Sequence, residues 1–225
     1  LKRWICLSVL ILSGVFFRKQ DTAGRKSLFM PVNRSVPDVA QKRKDWNGLI
    51  SGFKASDLVF LDESGCNTDM TRRYAYSLGG NRAVDSAPLS KPKNTTILSS
   101  IQLGGTLRYT TFSGGTTVER FKRYLETDLL PHLNGNSVLI MDNMKSHHAK
   151  AVKNLLDSSG IRYIYLPPYS PDLNPIEKLW SKVKAFLRKF KARTLDALPN
   201  AIQNAFHSVT VSDCSGWFRF CGYAL

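Results

Sequence analysis

Three acidic side chains are placed where they could hold metal ions. Asp62 and Asp142 each follow a short apolar run, LVFL and SVLIM, and Glu177 begins a helical pattern behind a proline-rich stretch. Two acids at one site repel each other unless a cation lies between them. Carboxylate oxygens are hard ligands that suit Mg²⁺ or Mn²⁺. The residue types therefore predict a site for a divalent metal ion.

Each acid also has a purely structural interpretation. Glu177 lies three residues after Asn174, which is the spacing of a capping box, with Pro175 at the first helical position. Asp62 and Asp142 could be turn residues or helix caps, and Glu63 could take the place of Asp62 as a ligand. The order and spacing of the three acids carry more weight than any one of them. The 34 residues between Asp142 and Glu177 leave room for a helix, a strand and a return to the same end of a sheet.

The elements that must position these acids follow from apolar patterning. Residues 58–61 and 137–141 predict two buried strands, and sites in α/β sheets form at the carboxyl ends of strands. Between the second and third acids the sequence predicts a helix at 149–159, a strand at 161–166 and a rigid loop at 167–175. A long helix is expected from Pro175 to about Lys191.

The rest of the chain adds further elements around this centre. The patterns predict a hairpin at 95–112 turning at Gly104-Gly105, a strand at 72–77, helices at 38–50, 117–130 and 195–208, and an aromatic tail at 217–223. Helices alternate with strands, apart from the hairpin near the start. This order predicts an α/β fold with a mixed central β-sheet flanked by helices.

The charge balance points to a polyanionic partner. Thirty-two Lys and Arg face seventeen Asp and Glu, giving a net charge of +15 and a pI near 9.9. Such an excess favours nucleic acid. The residues expected to contact DNA phosphates follow the third acid: Lys178, Lys182, Lys184, Arg188, Lys189, Lys191 and Arg193. The alternative is a solvated helix face, and the cluster 42–44 (KRK) has the same two interpretations.

Cysteine usage and the start of the chain bear on location. The four cysteines form no CxxC pair, so we expect reduced thiols in a cytoplasmic, nucleoid-associated protein. The apolar run 4–17 is too short to span a bilayer, and no small-residue cleavage site follows it. We therefore expect no membrane association, and the alternative of a secreted or anchored protein depends on this run alone.

Five segments carry a family resemblance that covers about residues 36–223. They are FLDESG at 60–65, LIMDN at 139–143 with His147, YLPPYSPDLNPIE at 165–177, KLWSKVK at 178–184 and WFRFCGY at 217–223. The sequence resembles the IS630 group of the IS630/Tc1/mariner transposases, whose catalytic domain has a ribonuclease-H-like fold. The proline-rich segment is the most specific of the five.

The resemblance implies a catalytic set and a reaction. Asp62, Asp142 and Glu177 match the catalytic, metal-binding triad of the family, and Asn143 and His147 match positions near the metal site. For His147 a structural, hydrogen-bonded role is the alternative. The implied reaction cleaves DNA at the ends of an insertion sequence and joins a freed 3′-OH to target DNA, typically at TA. Two Mg²⁺ or Mn²⁺ ions and a homodimer on DNA are implied with it.

The start of the chain departs from the family. Members carry helix-turn-helix modules before the catalytic domain, but only 57 residues precede the first catalytic strand here. We therefore expect a poorly matching arm at 1–35, a DDE catalytic domain at 36–225, and a truncated copy. One alternative is an inactive DNA-binding remnant. Another is a ribonuclease H or Holliday-junction resolvase, which share fold and metals, although the segment YSPDLNPIE favours a transposase.

Overall fold

The computed structural model describes residues 36–223 without 73–76, 78, 80, 87 and 89–91. This part of the chain contains five strands and six α-helices. The strands are β1 (Leu58–Cys66), β2 (Thr95–Gln102), β3 (Gly105–Ser113), β4 (Val138–Met141) and β5 (Arg162–Tyr165). The helices are α1 (Pro37–Ile50), α2 (Val118–Arg123), α3 (Lys150–Ser159), α4 (Ile176–Phe190), α5 (Ala197–His207) and α6 (Val211–Phe220). The predicted arm at 1–35 and most of the predicted strand at 72–77 lie outside the described residues.

The five strands form one mixed sheet in the order β3-β2-β1-β4-β5. The hairpin β2–β3 pairs antiparallel with β1, whereas β4 and β5 run parallel to β1. The parallel half needs crossover connections. The path through α2 links β3 to β4, and α3 links β4 to β5. The α/β prediction and the predicted hairpin are both confirmed.

The first strand is longer than its apolar run. Parallel pairing with β4 ends at Leu61 opposite Met141, but β1 continues to Cys66 because β2 pairs antiparallel with it over that stretch. The expectation that Asp62 follows the strand is therefore wrong, since Asp62 lies within β1. It nevertheless occupies the first position beyond the parallel ladder, as Asp142 does on β4.

Strand alternation divides the core between the two faces of the sheet. Phe60 and Ile140 face one side, where α4, α5 and α6 pack. Leu61 and Met141 face the other side, where α2 and α3 pack. All four side chains are at most 1% exposed. Burial of a side chain of this size contributes about 1.5–3 kcal/mol, so the register of β1 and β4 is held firmly.

Two segments differ from their predicted form. The helix expected at 117–130 is α-helical only to Arg123, and continues as a π-helical stretch to Leu129 and a 3-10 turn containing Pro131. The buried hydroxyl of Tyr124, at the start of that stretch, donates to the Arg108 carbonyl. The expected aromatic tail is mostly the helix α6, whose Phe218 packs edge-on against Phe60 with ring centroids 5.4 Å apart.

The described cysteines are all free thiols. Cys66, Cys214 and Cys221 are free and buried, and burial raises the pKa of each thiol to about 11. They are therefore unreactive at neutral pH. Among the described residues, no helix combines the length and the apolar character needed to cross a bilayer.

Candidate active site

A cleft of about 500 Å³ opens where the parallel ladder of β1 and β4 ends and meets the loop before α4. The three predicted acids all line it. Its full lining is Asp62, Asp142, Asn143, Met144, Leu166, Pro167, Pro168, Tyr169, Ser170, Pro171, Asn174 and Glu177. Residues separated by more than a hundred positions in the sequence are thus brought to one surface.

Asp62 is the most buried of the three acids, with 8% of its surface exposed. One carboxylate oxygen accepts a hydrogen bond from the indole N–H of Trp180 at 3.1 Å, and the other accepts from the Glu63 backbone N–H at 2.7 Å. Burial raises the pKa of Asp62 to about 7, despite the lowering effect of the Glu63 amide, and the nearby carboxylates of Asp142 and Glu177 raise it further. Asp62 therefore loses its proton less readily than an exposed aspartate would, and a cation bound beside it would favour the ionised form.

Asp142 lies in the turn that follows β4, with 42% of its side chain exposed. It accepts a hydrogen bond from the Met144 backbone N–H at 2.9 Å, and its carboxylate lies 2.8 Å from Nδ1 of His147. Partial burial would raise its pKa, but the bonds from His147 and Met144 outweigh that effect and the pKa is lowered. Asp142 is therefore ionised and oriented before any ligand binds.

His147 joins two acids from beneath the cleft. It is fully buried, with Nδ1 facing Asp142 and Nε2 3.2 Å from the Glu63 carboxylate, and its ring stacks on Phe121 at 4.2 Å. Burial lowers the pKa of His147, but the hydrogen bonds to Asp142 and Glu63 overcome this and raise it to about 10. The geometry thus matches the structural alternative for His147, as a charged link between acids.

Glu63 does not share the cleft with Asp62. The two residues are neighbours on β1, so their side chains point to opposite faces of the sheet. Glu63 faces the α2 and α3 side with His147, and its second oxygen is buried without a hydrogen-bond partner in the described part of the chain. Since Glu63 is not among the cleft residues, the alternative in which it replaces Asp62 as a ligand loses its geometric basis.

Glu177 stands in the first turn of α4, exposed at the rim of the cleft. Its carboxyl is close enough to packed atoms for partial loss of water to raise its pKa, an effect that Lys184 opposes and Asp142 reinforces. The capping-box interpretation is wrong, because α4 starts after Pro175 without any side-chain cap hydrogen bond. Its carboxylate therefore remains available to the cleft.

The two asparagines predicted near the site differ in their bonding. The Asn143 side-chain amide donates to the Leu166 carbonyl, which ties the end of β4 to the end of β5. Asn174 is 3% exposed and does not cap α4, contrary to expectation. Its side-chain oxygen is buried without a hydrogen-bond partner among the described residues. Buried polar oxygens normally have a hydrogen-bond partner, so this oxygen is an exception.

The cleft suits a divalent cation in donor type and charge. Asp62, Asp142 and Glu177 supply only oxygen donors, and the unpartnered oxygen of Asn174 belongs to the same lining. Oxygen donors of this kind favour Mg²⁺ or Mn²⁺. Within the described ranges, no three His, Cys, Asp or Glu side chains stand close enough to enclose an ion as placed. The carboxylates would therefore need to turn inward to bind one.

The basic residues of α4 separate into two sets. Lys184 and Arg188 follow Glu177 by seven and eleven positions, which returns them to within about 20° of its side of the helix. Lys178 and Lys182 lie on another side, against α6. The Lys178 ammonium sits 3.8 Å over the Phe220 ring, and Lys182 donates to the Asp213 carboxylate.

The remaining predicted basic contacts also differ in what they touch. Lys189 is exposed on the side of Lys178 and Lys182. Lys191 bonds both carboxylate oxygens of Asp85 at 2.6 and 2.7 Å. The Arg193 guanidinium donates to the backbone carbonyls of residues 68, 70 and 86. Several of the predicted DNA-contacting residues are thus already engaged within the protein.

Sequence reasoning missed Trp180 and the partnership of Glu63 with His147. A signal for Trp180 was present, because it follows Glu177 by three positions and shares the buried stripe of α4 with Leu179 and Val183. No local signal linked Glu63 to His147, which are 84 positions apart. Only the meeting of β1 with the turn after β4 brings them together.

Comparisons with known proteins show the family of this chain. The family described as DDE superfamily endonuclease matches residues 57–199. The Transposable element Tc1 transposase of Caenorhabditis elegans is 28% identical over 97 residues, covering 41% of this chain and 36% of that protein. The chain spans about a third of the length of this curated relative.

Solved structures of similar shape come from Mos1. The Mos1 mariner paired-end complex with Mn aligns with a TM-score of 0.74 at 18% identity, covering 88% of this chain and 63% of that one. The catalytic domain of Mos1 mariner transposase aligns with a TM-score of 0.65 at 16% identity, covering 85% and 91% of the two chains. These likenesses confirm the predicted ribonuclease-H-like fold.

Proposed function

This chain belongs to the DDE superfamily of endonucleases, and we propose that it is the catalytic domain of a Tc1/mariner-type transposase, of the IS630 group. The proposed reaction is cleavage of DNA at the ends of an insertion sequence followed by strand transfer, as in cut-and-paste transposition. One observation carries the proposal. The register of β1 and β4 sets Asp62 beside Asp142, and the loop before α4 brings Glu177 to the same cleft.

We propose that Asp62, Asp142 and Glu177 hold Mg²⁺ or Mn²⁺, with two ions in the working site. Bound there, the ions would lower the pKa of an attacking water and offset charge on the leaving 3′ oxygen. The position of Asp62 beside the carboxyls of Asp142 and Glu177 supports this assignment, because a cation would offset the repulsion between these groups. Mos1 paired-end complexes are known with Mn and with Mg, which supports the choice of metals.

The residues around the acids serve to orient them. Trp180 holds one oxygen of Asp62, so the other points along a fixed direction. His147 and the Met144 amide do the same for Asp142. Outer partners of this kind commonly set the affinity of a metal site. Because His147 is buried with both ring nitrogens engaged, we assign it this orienting role and not proton transfer.

The DNA backbone would follow the stripe of α4 that begins at Glu177. Lys184 and Arg188 are on that stripe and partly exposed, so we assign phosphate contacts to them. Such contacts position DNA without reading its sequence. Lys178 and Lys182 have partners on α6 and are assigned to holding that helix. We keep Lys189 as an outlying contact because it is exposed.

Partners and location complete the proposal. Mos1 has been solved as a transpososome and as a paired-end complex, so we propose that two copies of this chain act together on transposon ends, with TA as the target. We assign residues 36–225 to the catalytic domain and the protein to the nucleoid of the cytoplasm. Recognition of end sequences would need modules outside this domain.

The test is nicking of a supercoiled plasmid with Mn²⁺, comparing the native chain with Asp142→Ala. Nicking by the native chain alone is the expected result. Nicking that survives in Asp142→Ala would contradict the assignment of the triad. No nicking by either would favour an inactive DNA-binding remnant, and preferential cutting of an RNA–DNA hybrid would favour a ribonuclease H.

A further inference from the structure

The loop from Pro167 to Pro175 forms one wall of the cleft and leads directly into Glu177. Its backbone is not relaxed. Tyr169 has a φ of 54°, in the left-handed region that residues other than glycine seldom adopt. Within the loop, the one helical segment is the short 3-10 turn Pro171–Leu173. Contacts from outside the loop must therefore hold it in this conformation.

Arg43 of α1 supplies the main contact. Its guanidinium donates to both oxygens of the Asp172 carboxylate, at 2.7 and 3.2 Å, and also to the Ser170 hydroxyl. The Arg43 side chain is only 16% exposed. The Ser170 hydroxyl in turn donates to the Pro168 carbonyl at 3.0 Å. One side chain thus reaches the middle of the loop from a point more than 120 positions earlier.

The helix that carries Arg43 is itself anchored. Val39 and Trp46 of α1 are 5% and 3% exposed, and Trp46 belongs to the core beneath the sheet. The far end of the loop has its own contact, because the Tyr223 hydroxyl donates to the Leu173 carbonyl. The loop is therefore held by hydrogen bonds from α1 on one side and from the residues that follow α6 on the other.

We propose that Arg43 is a positioning residue, which clamps the loop so that Glu177 faces Asp62 and Asp142. This inference rests on the proposed function of the triad. It departs from both sequence interpretations of the cluster 42–44, contact with DNA and a solvated helix face. A guanidinium that forms a two-pronged bond to a carboxylate and a third bond to a hydroxyl has most of its donors occupied. It therefore acts on the loop and not on a phosphate.

Arg43→Lys separates the two roles. A lysine keeps the positive charge that a DNA contact needs, but it cannot form the two-pronged bond to Asp172. If Arg43 positions the loop, Arg43→Lys and Arg43→Ala should both slow single-turnover nicking by roughly 10- to 100-fold, because a small displacement of a catalytic group has effects of that size. The dissociation constant for DNA should change by less than about twofold in Arg43→Lys, which retains the charge.

Asp172→Asn tests the partner. It should slow nicking in the same direction, and the double variant Arg43→Ala/Asp172→Asn should be no slower than Arg43→Ala, because both changes break one contact. The matched control is Gln41→Ala, on the same helix, whose side chain bonds Asp45 within α1. Its nicking rate and loop exchange should equal those of the native chain. Thermal unfolding of each variant checks that the fold survives.

Hydrogen exchange of the loop amides gives a readout that does not depend on activity. The amides of Leu173, Asn174 and Glu177 bond to carbonyls within the loop, so both Arg43 variants should exchange faster there. Unchanged exchange, or full activity in Arg43→Lys with weakened DNA binding in Arg43→Ala, would overturn the inference. If the native chain does not nick DNA, the proposed function fails, and the exchange data alone decide whether Arg43 clamps the loop.

Discussion

The acids of the cleft are held in two different ways. Asp62 and Asp142 occupy equivalent positions beyond the parallel ladder of β1 and β4. Asp62 accepts two hydrogen bonds, whereas Asp142 accepts one from the Met144 amide and lies against His147. Glu177 is exposed at the start of a helix, and its carboxylate forms no hydrogen bond or ion pair among the described residues. The sheet positions the first two directly, whereas Glu177 depends on the loop that precedes it.

Because of this difference, we expect substitutions at the two kinds of acid to differ in their effect on stability more than in their effect on activity. A strand-borne acid is part of a buried network, so its removal leaves other groups without partners. A helix-borne acid at the rim can be changed without disturbing the core. If both kinds of acid bind metal, variants at the two positions should lose activity alike but differ in their effect on unfolding. The following predictions test that contrast.

The largest effect is expected for Asp142→Ala. Loss of a proposed metal ligand should lower the nicking rate by roughly 10³-fold or more. The melting temperature should also fall, because charged His147 loses one of its two carboxylate partners. Single-turnover nicking and thermal unfolding measure the two effects. An unchanged melting temperature would show that the network beneath the cleft contributes nothing to stability.

Glu177→Gln should lose a comparable amount of activity, by roughly 10²- to 10³-fold, without loss of stability. The substitution keeps the size of the side chain at an exposed position, where changes usually stay within about 0.5 kcal/mol. Thermal unfolding beside the same nicking assay checks this. A clear drop in melting temperature would break the contrast between helix and strand acids.

Trp180→Phe tests the support of a strand-borne acid. It keeps the aromatic packing but removes the N–H that donates to Asp62. Loss of such an outer partner should weaken Mn²⁺ affinity or activity by about 10- to 100-fold. The Mn²⁺ dependence of nicking gives the readout, and a rate equal to that of the native chain at every Mn²⁺ concentration would count against the orienting role.

The two sides of α4 should differ in DNA binding. Lys184→Ala/Arg188→Ala should weaken binding to any sequence and reduce the slope of log affinity against log salt by about 2, one for each phosphate contact. Lys178→Ala/Lys182→Ala should leave that slope nearly unchanged. Filter binding over a range of salt measures both. Equal slopes for the two double variants would contradict the division of the helix into two sides.

The smallest expected effect concerns the contact between α6 and α4. The hydrogen bond from Lys182, with help from the Thr210 amide, lowers the pKa of Asp213 to about 2, and Asp213 also completes the capping box of α6 with Thr210. Because the folded pKa is below the ordinary value of 3.8, the stabilisation is present above pH 4 and is lost as the pH falls towards 2.

Asp213→Asn should therefore cost roughly 1 kcal/mol at pH 7. Urea unfolding at pH 7 and at pH 2.5 measures the difference from the native chain, which should shrink at the lower pH. Thr127→Ala, a surface change away from α4, serves as the control. A difference that is equal at both values of pH would assign the effect to helix propensity and not to charge.

Local pattern was sufficient for most elements because their boundaries depend on short-range chemistry. Helix α3 ends at Gly160, which adopts a positive φ of 70° as expected for a glycine stop. The hairpin turns at Leu103-Gly104, one residue before the predicted Gly104-Gly105, and the apolar runs of β1 and β4 are buried. The π-helical stretch after Arg123 escaped prediction because it depends on contacts of Tyr124 with the distant hairpin.

The sequence by itself predicted the fold class and the three acids that line the cleft, because apolar periodicity, punctuating residues and the motif 165–177 are local properties. The tertiary structure alone decided which of the two neighbouring acids on β1 enters the cleft. Asp62 and Glu63 are adjacent, yet strand alternation and the two-sided core send them to opposite faces. The hydrogen bonds from Arg43 to the loop likewise depend on how α1 packs. Contacts between distant segments of this kind produce no periodic pattern in the sequence.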